Sequence, residues 1–145
     1  MITLVDLKDM TPHRAVDLTW QLLDERPEEA SISHREMPTW TQHQHYVMNH
    51  NYRAWYAVVN DSGTAVGTVL LTQHNEIGVA ILAMHQRRGY ARQAITELMR
   101  KHPPHPAVPG QRVGRFLANV NPNNAASIAL FTGMGARLIQ NTYEL

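Results

Sequence analysis

Three short runs rich in β-branched and aromatic residues, 53–60, 65–72 and 76–82, follow one another with only turn residues between them. Asp61-Ser62-Gly63 marks the first turn and Gln73-His74-Asn75 the second. So close a succession reads as consecutive hairpin-type strands. The third run, Glu76-Ile-Gly-Val-Ala-Ile-Leu82, is the most apolar and reads as a buried central strand. It leads through a short cationic turn into an amphipathic helix that carries Ala94, Ile95, Leu98 and Met99 and ends near Lys101.

The flanking segments fit around this core. Ile2–Asp6 reads as a first strand. Thr11 and Pro12 suit a helix cap and a first helical position, with the helix running to about Asp24. Residues 26–37 are polar and read as a loop, and a second helix should run from Pro38-Thr39 to about Asn49. Residues 102–114 hold four prolines and read as a loop. A strand is expected at 115–120, a turn and cap at residues 121–124, a helix at 125–132 closed by Gly133 and Gly135, and a last strand at 136–145. The order predicts one α/β (α+β) domain over residues 1–145, a mixed sheet with helices on its faces.

Composition narrows the function. With 43% hydrophobic and 17% charged residues, the 145-residue chain should bury one continuous core. A net charge of +1 makes a nucleic-acid partner unlikely. The absence of cysteine excludes a thiolate nucleophile and a disulfide. No run approaches the roughly 20 apolar residues of a membrane span, and residues 1–6 have no leader-like character. The expectation is a cytoplasmic protein.

Residues 86–91, Gln-Arg-Arg-Gly-Tyr-Ala, concentrate the chemistry. A helix start presents unpaired N–H groups and a partial positive charge, so it can hold an anion. Gly89 lets the backbone approach closely, Ala91 is the next smallest choice, and Arg87 and Arg88 add charge. Strand, glycine turn and helix together read as a phosphate cradle. The competing reading is a plain strand–turn–helix with a surface arginine pair.

Gln86-Arg-Arg-Gly89-Tyr-Ala91 resembles the Gln/Arg-x-x-Gly-x-Gly/Ala motif of the GCN5-related N-acetyltransferase (GNAT) superfamily, and Asn124-Ala-Ala-Ser127-Ile-Ala-Leu130-Phe131-Thr-Gly-Met-Gly135-Ala136 resembles its second signature. The resemblance implies a mostly antiparallel sheet of six to seven strands with about four helices, splayed at an acyl-CoA site. It implies acetyl-CoA as cofactor. The amides of Arg88, Gly89, Tyr90 and Ala91, with Gln86 and Arg87 nearby, would hold its diphosphate. The strand edge at Ile81, Leu82 and Ala83 would pair with the pantetheine arm. The N–H of Ile81 or Leu82 would be the oxyanion donor. Asn119, Asn124 and Phe131 would be further cofactor contacts. Family members often have Tyr where Phe131 stands; Phe cannot protonate a departing thiolate, which leaves water, Tyr90 or Tyr143 for that step, or a thiolate that departs unaided.

The resemblance places a general base on the third β-run, where Glu76 is the first candidate; His74, in the turn before that run, is the second. Each could equally be a solvated surface group. The acceptor pocket would involve His34, Arg35, Glu36 and Trp40, against the plainer reading of a polar loop. The nine histidines show no zinc-type spacing and read as surface residues, so no metal is expected. The leading expectation is acetyl transfer to a primary amine of a small molecule, in the manner of members that use amino sugars. A protein N-terminus or lysine is the second acceptor class, and a non-catalytic acyl-CoA-binding module is the third reading. A homodimer would be in keeping with the family.

Overall fold

The computed structural model describes residues 1–27, 30 and 36–145. Strands β1 (Ile2–Asp6), β2 (Ala54–Asn60), β3 (Ala65–Leu71) and β4 (Ile77–Ile81) form an antiparallel sheet in sequence order. Helices α1 (Pro12–Asp24), α2 (Trp40–Met48), α3 (Tyr90–Lys101) and α4 (Ala125–Gly133) accompany it. Helix α2 starts where the capping signal lies: Thr39 and Gln42 exchange side-chain bonds to each other's backbone N–H. Thr11 occupies the cap position of α1, but its side chain makes no capping bond.

Strand alternation divides the apolar residues between two faces. Ala54, Val58, Val69, Leu71 and Ile77 pack with Ala94, Ile95 and Leu98 of α3. Trp55, Ala57 and Leu82 pack with Ala15, Val16 and Leu18 of α1 and Val47 of α2. A bulge in β3 makes the switch possible: Val58 faces Gly67 and Val59 faces Ala65, so Val66 is the extra residue. Gly67 is obligatory there, because a β-carbon on it would lie 2.2 Å from the Ala80 carbonyl oxygen.

The expected sheet of six to seven strands contracts to four among the described residues. Residues 115–120 do not form a strand. Leu117 alone makes a parallel bridge, accepting from Ile77 N–H at 2.8 Å and donating to the Asn75 carbonyl at 2.9 Å. Residues 136–145 form no strand either, and Leu138 and Tyr143 are 81% and 83% exposed. A β-rich composition becomes a strand only where an edge pairs with it along several residues; residues 115–120 meet the edge at β4 through Leu117 alone, and residues 136–145 pair with no strand among the described residues.

The expectation of surface histidines also needs correction at His43. It is buried between α1 and α2, with its Nε2 2.8 Å from Thr19 Oγ1. Thr19 already donates its proton to a carbonyl of the preceding turn, Ala15 at 2.9 Å or Val16 at 3.0 Å, so His43 donates to Thr19.

Candidate active site

Strand β4 is paired on one side only beyond its first residue. Ile77 N–H points to Leu117, so by alternation Val79 and Ile81 N–H point the same way. Neither meets an acceptor among the described residues. Leu82 N–H points to the other side and donates to the Val66 carbonyl at 2.9 Å. Of the two amides expected to compete as oxyanion donor, the one on Leu82 is therefore already committed and the one on Ile81 is open. The Ile81 carbonyl accepts from Gln86 Nε2 at 3.0 Å, which ties the strand edge to the turn that follows.

That turn is shaped by two left-handed residues, Arg87 at φ 63° and Gly89 at φ 80°. Glycine adopts this conformation at no steric cost. No side chain caps α3, and the N–H groups of Gly89, Tyr90, Ala91 and Arg92 make no hydrogen bond among the described residues. A β-carbon on Gly89 would have only Gln93 Nε2 within 4 Å, at 3.7 Å. The space over the turn is open, and Arg87 and Arg88 are exposed beside it with no ion pair among the described residues. Unpaired amides, a helix dipole and two unpaired cations fit a diphosphate.

At the other end of β4 stands Glu76. Alternation puts Glu76, Gly78 and Ala80 on the α1/α2 face; Ala80 is exposed there, and the Leu70 side chain lies over Gly78, 3.2 Å from where a β-carbon would stand. Thr72 Oγ1 donates to Glu76 Oε1 at 3.1 Å, and Asn119 Nδ2 donates to Oε2 at 2.5 Å. Asn119 comes from the segment that parts from β4 after Leu117, so the carboxylate spans the parting.

The remaining candidates are scattered. His74 is exposed at the turn, and its N–H donates to Thr72 Oγ1. Tyr143 lies in the exposed C-terminal segment. Asn124 caps α4 by accepting from Ser127 N–H at 3.1 Å. Phe131 is half-buried and packs on the α3-side core, as does Tyr90. Trp40 meets Trp20 edge to face at 5.2 Å. Glu36 is exposed, and His34 and Arg35 lie outside the described residues.

Three residues that the sequence did not single out converge here. Glu25, just past α1, accepts from Ala83 N–H at 3.2 Å, two residues beyond the end of β4. Thr72 holds Glu76. Asn75, fully buried at φ 66°, donates to the carbonyls of His105 and Val113 and fastens the proline-rich loop to the sheet. A left-handed asparagine before a strand is a known turn signal. The contact from Glu25 spans 58 residues and leaves no local trace.

The comparisons with known proteins place this fold. A family model described as the acetyltransferase (GNAT) domain matches residues 5–137. The chain belongs to the GNAT acetyltransferase domain family. No protein among those of curated function matches the chain by sequence. Among solved structures, the ribosomal-protein-alanine N-acetyltransferase from Brucella melitensis biovar Abortus is similar, with TM-score 0.65, 15% identity, and 100% of this chain and 97% of that one covered. The protein yncA from Salmonella typhimurium, with its cofactor acetyl-CoA, gives TM-score 0.58, 17% identity, and 93% and 78% coverage. The spermidine/spermine N-acetyltransferase SpeG from Vibrio cholerae gives TM-score 0.51, 18% identity, and 68% and 60% coverage. Among the described residues, no helix is long and apolar enough to cross a membrane, and no group of three His, Asp or Glu could hold a metal ion.

Proposed function

We propose that the protein transfers an acetyl group from acetyl-CoA to a primary amine of a small molecule. The observation that carries this reading is the one-sided β4. Its unpaired Val79 and Ile81 amides lead directly to the uncapped start of α3. Acetyl-CoA supplies an activated thioester. The α3 amides and Arg87 and Arg88 hold its diphosphate, and the open edge of β4 pairs with its amide-bearing arm as a strand would.

Ile81 N–H is the oxyanion donor, because it is the open amide at the end of that edge. An alkyl amine is largely protonated at neutral pH, and Glu76 takes its proton directly or through one water. Glu76 is half-buried just ahead of β4, on the face where Ala80 is exposed. Phe131 offers no proton, so the thiolate leaves with water as its proton source.

A second reading has a protein amino terminus as acceptor. It is favoured by the openness of the cleft, since Glu25, Ala80, Ala83 and Asn119 are all exposed.

The test is thiol release from acetyl-CoA with a panel of amines and N-terminal peptides. Glu76→Gln should lower kcat about 100-fold with CoA binding retained. Gly89→Glu should abolish protection by CoA against heat. Full activity of the first variant removes Glu76 as base, and unchanged protection of the second removes the cradle. A preference for peptides over small amines selects the second reading.

A further inference from the structure

We propose that Thr72 is a positioning residue for Glu76, and that with Asn119 it forms a clamp fixing how the Glu76 carboxylate faces the acceptor amine. The proposal rests on the reading of Glu76 as the base.

The argument is a count of lone pairs and protons. A threonine hydroxyl has two lone pairs and one proton. Thr72 Oγ1 accepts from His74 N–H at 3.1 Å and from Glu76 N–H at 3.1 Å. Both lone pairs are spent, so its proton is left for Glu76 Oε1 at 3.1 Å. The direction of that bond is therefore fixed. The turn is fixed as well, because Thr72 N–H donates to the Glu76 carbonyl at 2.9 Å and Asn75 N–H donates to the Thr72 carbonyl at 3.3 Å.

The second carboxylate oxygen is held from across the parting of the strands. Asn119 Nδ2 can only donate, and it reaches Oε2 at 2.5 Å. Each oxygen of Glu76 thus accepts one bond from a neutral donor, one from its own strand turn and one from the opposite wall. A carboxylate has about four acceptor sites in all. The unused ones are left to meet an amine or a water, and the two donors set their direction. No cation pairs with Glu76 among the described residues, so its charge is not spent within the protein.

A base so held should lose rate, not substrate affinity, when one arm of the clamp is cut. Thr72→Val should lower kcat about 10-fold with KM for acetyl-CoA unchanged. Thr72→Ser, which keeps the hydroxyl, should restore it. The deciding measurement is a double-mutant cycle with Glu76→Gln. In that background Thr72→Val should have no further effect, whereas a residue acting only on stability would add its full loss. Should Thr72→Val fail to fold, Asn119→Ala enters the same cycle with the same expectation. A readout without substrate accompanies these. In the free protein the Thr72 hydroxyl proton should exchange slowly with solvent, and Glu76→Ala should remove that protection. Additive losses in the cycle, or a hydroxyl indifferent to Glu76→Ala, overturn the clamp. If Glu76→Gln alone leaves kcat unchanged, it is the assignment of the base that fails.

Discussion

Asn75 and His105 are joined by a reciprocal pair of hydrogen bonds. Asn75 Nδ2 donates to the His105 carbonyl at 3.0 Å, and His105 N–H donates to Asn75 Oδ1 at 2.7 Å. The same Nδ2 also donates to the Val113 carbonyl at 2.9 Å. One buried amide thereby closes both ends of the proline-rich loop onto the sheet, directly before Glu76. Asn75→Ala should cost about 3 kcal/mol, near 1 kcal/mol for each bond lost. Chemical denaturation reads the loss, and a change under 1 kcal/mol would show that the loop is held elsewhere.

Gly67 makes the close approach of β3 to β4 possible. The 2.2 Å contact that a β-carbon would make falls on backbone, which cannot swing aside. Gly67→Ala should destabilise the protein by about 2–3 kcal/mol and disturb Ile81, which lies opposite in register. Thermal melting checks the first effect and CoA affinity the second.

Burial lowers the proton affinity of the His43 ring below its ordinary value, as it does for His50 and His102. A histidine with a depressed folded pKa contributes stability that is fully present above the unfolded value of about 6.5. That contribution is lost as pH falls below it, where the unfolded chain binds the proton first. The melting temperature should therefore drop between pH 7 and pH 5. His43→Gln should flatten that slope, and an unchanged slope would rule His43 out as a contributor.

Glu25 sits on the Ala83 N–H, two residues past the strand edge that the proposed function gives to the acyl donor. Glu25→Ala should free the Ala83 amide and tighten CoA binding about 5-fold, measured by calorimetry. Weaker binding would mean that the carboxylate serves the cofactor and does not compete with it.

Much of this molecule is local in origin. The left-handed turn at Gly89, the capped start of α2 at Thr39 and the apolar stripe of α3 each depend on a few adjacent residues. The sequence therefore displayed the glycine turn ahead of α3 and three of the four sheet strands as hairpins in the right order. It also displayed β4 as the strand that leads into that turn, but as a buried central strand, whereas β4 is the outermost of the four strands among the described residues.

What the tertiary structure decided are the relations that cross the chain. Alternation and the register of β4 on β3 determine that Leu82 N–H is committed and Ile81 N–H is open. The meeting of Glu76 with Asn119, 43 residues away, and of Ala83 with Glu25 depends on how the helices settle on the sheet. The segments 115–120 and 136–145 have strand-like composition, yet the first keeps only the Leu117 bridge to the edge at β4 and the second pairs with no strand among the described residues. Backbone preference is a property of neighbouring residues, whereas a hydrogen bond between strands needs a partner that only packing can deliver.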